Sequence, residues 1–127
     1  MYFWLVLAGA LLHAAFMILE MFPWGEPLLL ALVAQRALGP ENQFKNESQQ
    51  KLVATIVHNA GIYNAILAGG FFWALTIGPG ARDTVRVLMA GAALAGCFGT
   101  VTLKPIGPNS IATGVQALLG VCGFLFL

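Results

Sequence analysis

Two side chains early in the chain have the types and spacing for proton transfer. His13 and Glu20 lie seven residues apart in an otherwise apolar run, so on a helix they share one face. An imidazole and a carboxylate placed this way can exchange a proton with a third group. A second polar set, Thr55, His58, Asn59, Tyr63 and Asn64, interrupts another apolar run. Polar groups in hydrocarbon cost several kcal/mol each unless they find partners. An ionisable group there points first to function. Thr55, Asn59 and Tyr63 recur every four residues and form a stripe. At ~100° per residue His58 sits beside that stripe, and Asn64 points away from it toward a different neighbour.

This pattern reads as an acid/base pair, His13 and Glu20, with His58, Asn59, Tyr63, Asn64, Thr102 and Gln116 orienting a substrate. The chemistry that fits is isomerisation or cyclisation of a small lipophilic molecule, because neither needs a cofactor. Membrane sterol isomerases also place His, Glu and Asn in a helix bundle, which is an analogy of layout only. A haem or metal held by His13, His58 and Glu20 is a second reading, although no His-x-x-x-His or Cys-x-x-Cys spacing is present. The cofactor question stays open at this point. A third reading is non-catalytic: a carrier, a homo-oligomer, or an accessory subunit of a larger membrane complex. The plainest account is hydrogen bonding between helices, worth about 0.6 kcal/mol per bond, with Glu20 reaching the headgroups.

The elements that must position these residues follow from composition. The 127 residues are 59% hydrophobic and only 9% charged, with a net charge of +1. Soluble domains carry about 25% charged residues, so the expected class is integral membrane and all-α. The low charge and the lack of a basic patch exclude a nucleic-acid partner. No phosphate-binding glycine loop or nucleophile elbow is present. Cys97 and Cys122 both lie in apolar runs and read as small apolar fillers. Spans are expected at about 2–22, 52–77, 84–103 and 109–127, each near the twenty residues a crossing needs. Residues 2–22 lack a basic lead-in and read as a permanent span rather than a cleaved signal. Residues 28–38 are apolar but short, and read as an interfacial helix. Residues 40–51 read as a polar loop. Gly78-Pro79-Gly80 and the prolines at 105 and 108 mark turns, with Asp83 or Thr84 capping the third helix and Asn109 or Ser110 the fourth. Short connections imply a single domain, 1–127, folded as an up-down-up-down four-helix bundle.

Depth is the most informative property of this pattern. Counted from the side of the long connection, Glu20, His13, Thr55, His58, Asn59, Tyr63, Asn64, Thr100, Thr102, Lys104 and Gln116 all fall in one half of the bilayer. The other half (2–12, 66–77, 87–99 and 117–127) is apolar apart from Thr76. Such segregation predicts one polar cavity, open toward the long connection and closed by apolar packing toward the termini. Small residues recur every four along the third helix, as Gly91, Ala95, Gly99 and as Ala92, Gly96, Thr100. Gln116, Gly120 and Gly123 share a face of the fourth. This is the spacing of close helix–helix approach.

Several of these residues, taken in order, carry a family likeness. They are His13, then Leu19-Glu20-Met21-Phe22-Pro23-Trp24, then His58-Asn59-Ala60-Gly61-Ile62-Tyr63-Asn64. Ala95-Gly96-Cys97-Phe98-Gly99-Thr100-Val101-Thr102 and Gln116 follow. The chain resembles the small four-helix bacterial membrane proteins grouped as domain of unknown function thirteen-oh-four. Their pattern is an early His, Leu-Glu-Met-x-x-Trp, Asn-Gln-Gly-x-Tyr-Asn, Ala-Gly-x-x-Gly-x-x-Thr and a late Gln. Here Ala60 stands where the family shows Gln, and His58 is added. The resemblance implies the four-helix membrane fold and the bacterial inner membrane, and it leaves the activity open.

Overall fold

The computed structural model describes residues 1–22, 47–102 and 108–127. Among them are four α-helices and no strand: α1 (Tyr2–Met21), α2 (Glu47–Ile77), α3 (Arg82–Thr102) and α4 (Pro108–Phe126), with a 3₁₀ turn at Gly78–Ala81 between α2 and α3. The interfacial helix expected at 28–38 lies outside the described residues, as do Trp24 and Lys104.

Helix ends follow local chemistry. α1 closes at Phe22, whose backbone N–H donates to the Ile18 carbonyl at 3.1 Å. Pro23 comes next, and the residue before a proline disfavours further helix. α2 begins at Glu47, five residues before the expected 52. Residues 47–51 are polar, but Glu, Gln and Lys are strong helix formers, so the loop expected to reach 51 is helical from 47. Arg82 follows the 3₁₀ turn directly as the first residue of α3. Asp83 therefore sits in the first turn of α3 rather than capping it, and pairs with Arg86 at 3.7 Å across exposed side chains, a contact worth little. Ser110, expected as a cap, is buried inside α4, which starts at Pro108. A proline fits the first turn because its missing N–H would go unpaired there anyway.

Among the described residues Gly78 alone has a left-handed backbone, with φ +73°. A Cβ there strains the turn whatever the space around it. Gly78→Ala is expected to lower stability by about 1 kcal/mol, checked by denaturant titration of the detergent-solubilised protein. An unchanged midpoint would show that the turn relaxes freely.

Val6, Ala10, Phe71, Ala74, Ala81, Val85, Met89 and Leu127 form one buried apolar cluster. They come from the first half of α1, the second half of α2, the 78–81 turn, the first turns of α3 and the residue just after α4, so the described apolar core gathers at the end that holds the 78–81 turn. The Tyr2 hydroxyl also lies there and donates to the Ala74 carbonyl at 3.3 Å. It is a polar group at the end expected to be apolar, and the bond satisfies it.

α1 packs mainly on α2, and α3 mainly on α4; α2 with α3 and α1 with α4 touch less. The α3–α4 contact is very close. A Cβ on Gly96 would lie 2.6 Å from the Thr113 carbonyl oxygen, and one on Gly120 would lie 2.6 Å from the Met89 carbonyl oxygen. Outward faces are strongly apolar, with Trp4, Val87, Leu94, Phe98 and Leu118 exposed. Two stretches, Tyr2–Met21 and Ala54–Thr102, are long and apolar enough to cross a membrane, and this surface fits a lipid environment.

Candidate functional site

His13 is fully buried. Its Nδ1 lies 2.8 Å from the carbonyl oxygen of Gly9, one turn back on α1. A carbonyl only accepts, so Nδ1 carries the hydrogen. Nε2 is then an acceptor, and it meets the side-chain amide nitrogen of Gln116, on α4, at 3.4 Å. The ring packs on Phe71 of α2, with centroids 5.5 Å apart, and edge-on to Phe16 of α1 at 6.3 Å. His13 thus joins three helices with both ring nitrogens occupied. Gln116 is also buried, and because its amide faces an acceptor its desolvation is offset.

Glu20 lies two turns further along α1, about 10.5 Å of helix rise away, and meets a different partner. The side-chain amide of Asn64 on α2 donates to Glu20 Oε2 at 2.7 Å. Both residues are half-buried. A carboxylate has about four acceptor positions, and this bond uses one of them. The helices come close here because position 61 is glycine: a Cβ on Gly61 would lie 2.5 Å from Met21 Cγ and 3.3 Å from Glu20 Cβ. The expectation that Asn64 points away from its neighbours' stripe leads to this pairing with Glu20.

The structure therefore brings the polar candidates together as two pairs, His13 with Gln116 and Glu20 with Asn64. His58, Asn59 and Tyr63 lie on the exposed face of α2. Thr55 and Thr102 are exposed as well, and each hydroxyl donates to its own helix, Thr55 to Lys51 at 2.9 Å and Thr102 to Phe98 at 2.8 Å. Thr100 back-bonds to Gly96 at 2.7 Å and lies 3.3 Å from the Thr113 hydroxyl across the α3–α4 contact. Such back-bonds satisfy a hydroxyl in an apolar setting without a second helix. Among the described residues no three His, Cys, Asp or Glu side chains gather in a group fit for a metal ion.

Sequence reasoning passed over two parts of this site. Gly9 supplies the carbonyl that orients His13, and Gly61 admits α1 to within reach of Asn64. The spacing of Gly9 and His13, four apart, carries the first signal, since a glycine leaves its carbonyl open to a side chain one turn on. The second has only a weak signal, a small residue three before the polar Asn64.

No curated protein and no solved structure matches the chain. The family model described as "Protein of unknown function (DUF1304)" matches residues 7–127. That match takes in both polar pairs, all but the first turn or so of α1 and the whole of the other three described helices, so the chain belongs to this family.

Proposed function

We propose that the protein is a multipass membrane protein, an up-down-up-down bundle of four helices, that binds a small lipophilic molecule at Glu20 and Asn64. What carries the reading is the Glu20–Asn64 pair itself: a carboxylate in an apolar helix, held at 2.7 Å by one amide and only half-buried. Glu20 is the only acidic residue of α1. The placement of the apolar core at the turn end supports a cavity that opens at the other end, where Glu20 lies. The ligand would be an apolar body with one polar group, which suits sites of few polar contacts in an apolar lining.

The chemistry this pair could support is isomerisation. The carboxylate removes a proton from one carbon of the ligand and returns it to another, so a double bond shifts and no electron acceptor is needed. Asn64 orients the carboxylate. His13 sits deeper, with both nitrogens engaged, and holds α4 through Gln116 rather than meeting the ligand.

The test is extraction of lipophilic molecules from protein purified in mild detergent, followed by mass spectrometry. Wild type is expected to carry one such molecule at near-equal ratio. Glu20→Gln retains an acceptor for Asn64, so stability should fall by no more than about 1 kcal/mol. Its occupancy should drop about tenfold, the equivalent of one lost charge-assisted bond. Undiminished occupancy in Glu20→Gln would remove the carboxylate from the site.

A second reading, a non-catalytic subunit that docks through its helices, is favoured by the polar residues on the outer face of α2.

A further inference from the structure

The Glu20–Asn64 pair leaves two oxygens free. A carboxylate only accepts, so Asn64 turns its amide nitrogen toward Glu20 Oε2, 2.7 Å away. Glu20 Oε1 and Asn64 Oδ1 are then without a bond. Among the described residues no unbonded side-chain oxygen is buried, so both are open to a ligand. Each is an acceptor, and one belongs to a charged group. The donor left in the pair is the second hydrogen of the Asn64 amide.

The charge of Glu20 has no opposite among the described residues. Their Lys and Arg side chains are Lys51, Arg82 and Arg86. Arg82 and Arg86 open α3 beside the 78–81 turn, whereas Glu20 lies at the other end of α1. Lys51 precedes Asn64 on α2 by about 20 Å of helix rise. His13 is two turns deeper with both nitrogens engaged, and His58 is on the exposed face of α2. A carboxylate half-withdrawn from water needs an opposite charge or several hydrogen bonds, and Asn64 supplies one bond. The surroundings are otherwise apolar. Phe16 and Met17, four and three residues before Glu20, share its side of α1 and are partly buried. An aromatic ring one turn from a carboxylate adds a second attraction for a cation.

We infer that the molecule held at Glu20 and Asn64 is a protonated lipophilic amine, an ammonium head on an apolar body. The ammonium donates to Glu20 Oε1 and to Asn64 Oδ1, and its charge balances the carboxylate. The body runs along α1 over Phe16 and Met17. A neutral alcohol brings one donor to two acceptors and no charge. A fatty acid or a phosphate head sets a second negative charge beside Glu20, with one amide hydrogen to hold it. The inference names the ligand class of the site proposed above, so it rests on binding there; it does not rest on isomerisation.

The test places the full chain in nanodiscs of zwitterionic lipid. Three probes of one chain length, dodecylamine, 1-dodecanol and dodecanoate, are measured by equilibrium dialysis against empty nanodiscs at about pH 7, where the amine is charged. Wild type is expected to bind dodecylamine about tenfold more tightly than dodecanol, the worth of one charge-assisted bond, and dodecanoate most weakly. Glu20→Gln keeps an acceptor for Asn64 and should bind the amine and the alcohol alike. Dodecanol or dodecanoate held by wild type as tightly as the amine overturns the inference without any variant. So does an amine preference that survives in Glu20→Gln of wild-type helix content. The two readings fail separately. If amine and alcohol bind equally and both weaken in Glu20→Gln, the site stands and the cation is lost. If none of the three binds above empty nanodiscs, the site is lost with it.

Discussion

Gly96→Ala should destabilise the protein by about 3 kcal/mol, while Gly91→Ala, five residues earlier on the same helix, should leave it as stable or raise it by a few tenths. The added carbon is the same in both. At position 96 it would fall 2.6 Å from the Thr113 carbonyl oxygen and closer still to the Ala117 backbone nitrogen. These are main-chain atoms of α4, which cannot rotate aside, so the two helices must separate. Separation loses contact along α3 and α4 together, the most extensive contact among the described helices. At position 91 a Cβ meets nothing within 4 Å, and alanine is the better helix former. Denaturant titration of both variants in one detergent reads the difference directly. Equal midpoints for the two would mean that α3 and α4 are not held by close backbone approach.

That pair of glycines also marks how far the sequence could be read. Small residues every four along α3 announced a close contact but left two candidate rows, one through Gly91 and Ala95 and one through Ala92 and Gly96. The structure buries Ala92 and Gly96 and exposes Gly91 and Ala95. The spacing is equal in both rows, and only the partner chooses between them. On α4, Gln116, Gly120 and Gly123 are all buried, because a polar residue aligned with two glycines leaves one face to choose. Helix limits were legible wherever Pro or Gly punctuates, as at 78–80. The limit was misplaced at 47, where hydrophobicity ends but helix propensity continues.

The site was legible by residue and less so by pairing. A spacing of four along α2 predicts one polar stripe of Thr55, Asn59 and Tyr63 lining a cavity, yet that stripe is the exposed face. Period alone says which residues share a face and not which way it turns. Direction came from Gly61, a small residue against Met21, which turns the opposite side of α2 toward α1 and carries Asn64 to Glu20. His13 and Glu20 share a face, as their spacing requires, but two turns of rise give each its own partner.

The pairing of His13 with Gln116 makes a second large effect calculable. His13→Leu keeps an apolar side chain of similar bulk against Phe71 and Phe16 but leaves the buried Gln116 amide facing carbon. An unsatisfied buried polar group costs about 1–3 kcal/mol, so the single variant should lose about 2 kcal/mol. Replacing both partners removes the unsatisfied group, and such double replacements come close to neutral. His13→Leu with Gln116→Leu should therefore recover at least about 1 kcal/mol of that loss, a non-additivity expected only of groups in direct contact. The same pair of variants separates a structural histidine from a chemical one. If His13 acts by holding α4, the double variant regains wild-type retention of the lipophilic molecule along with its stability. If the imidazole itself exchanges a proton with the ligand, stability returns and turnover does not. Recovery of neither would show that Gln116 and His13 do not depend on each other, and the three-helix junction built on Gly9, His13 and Gln116 would have to be abandoned.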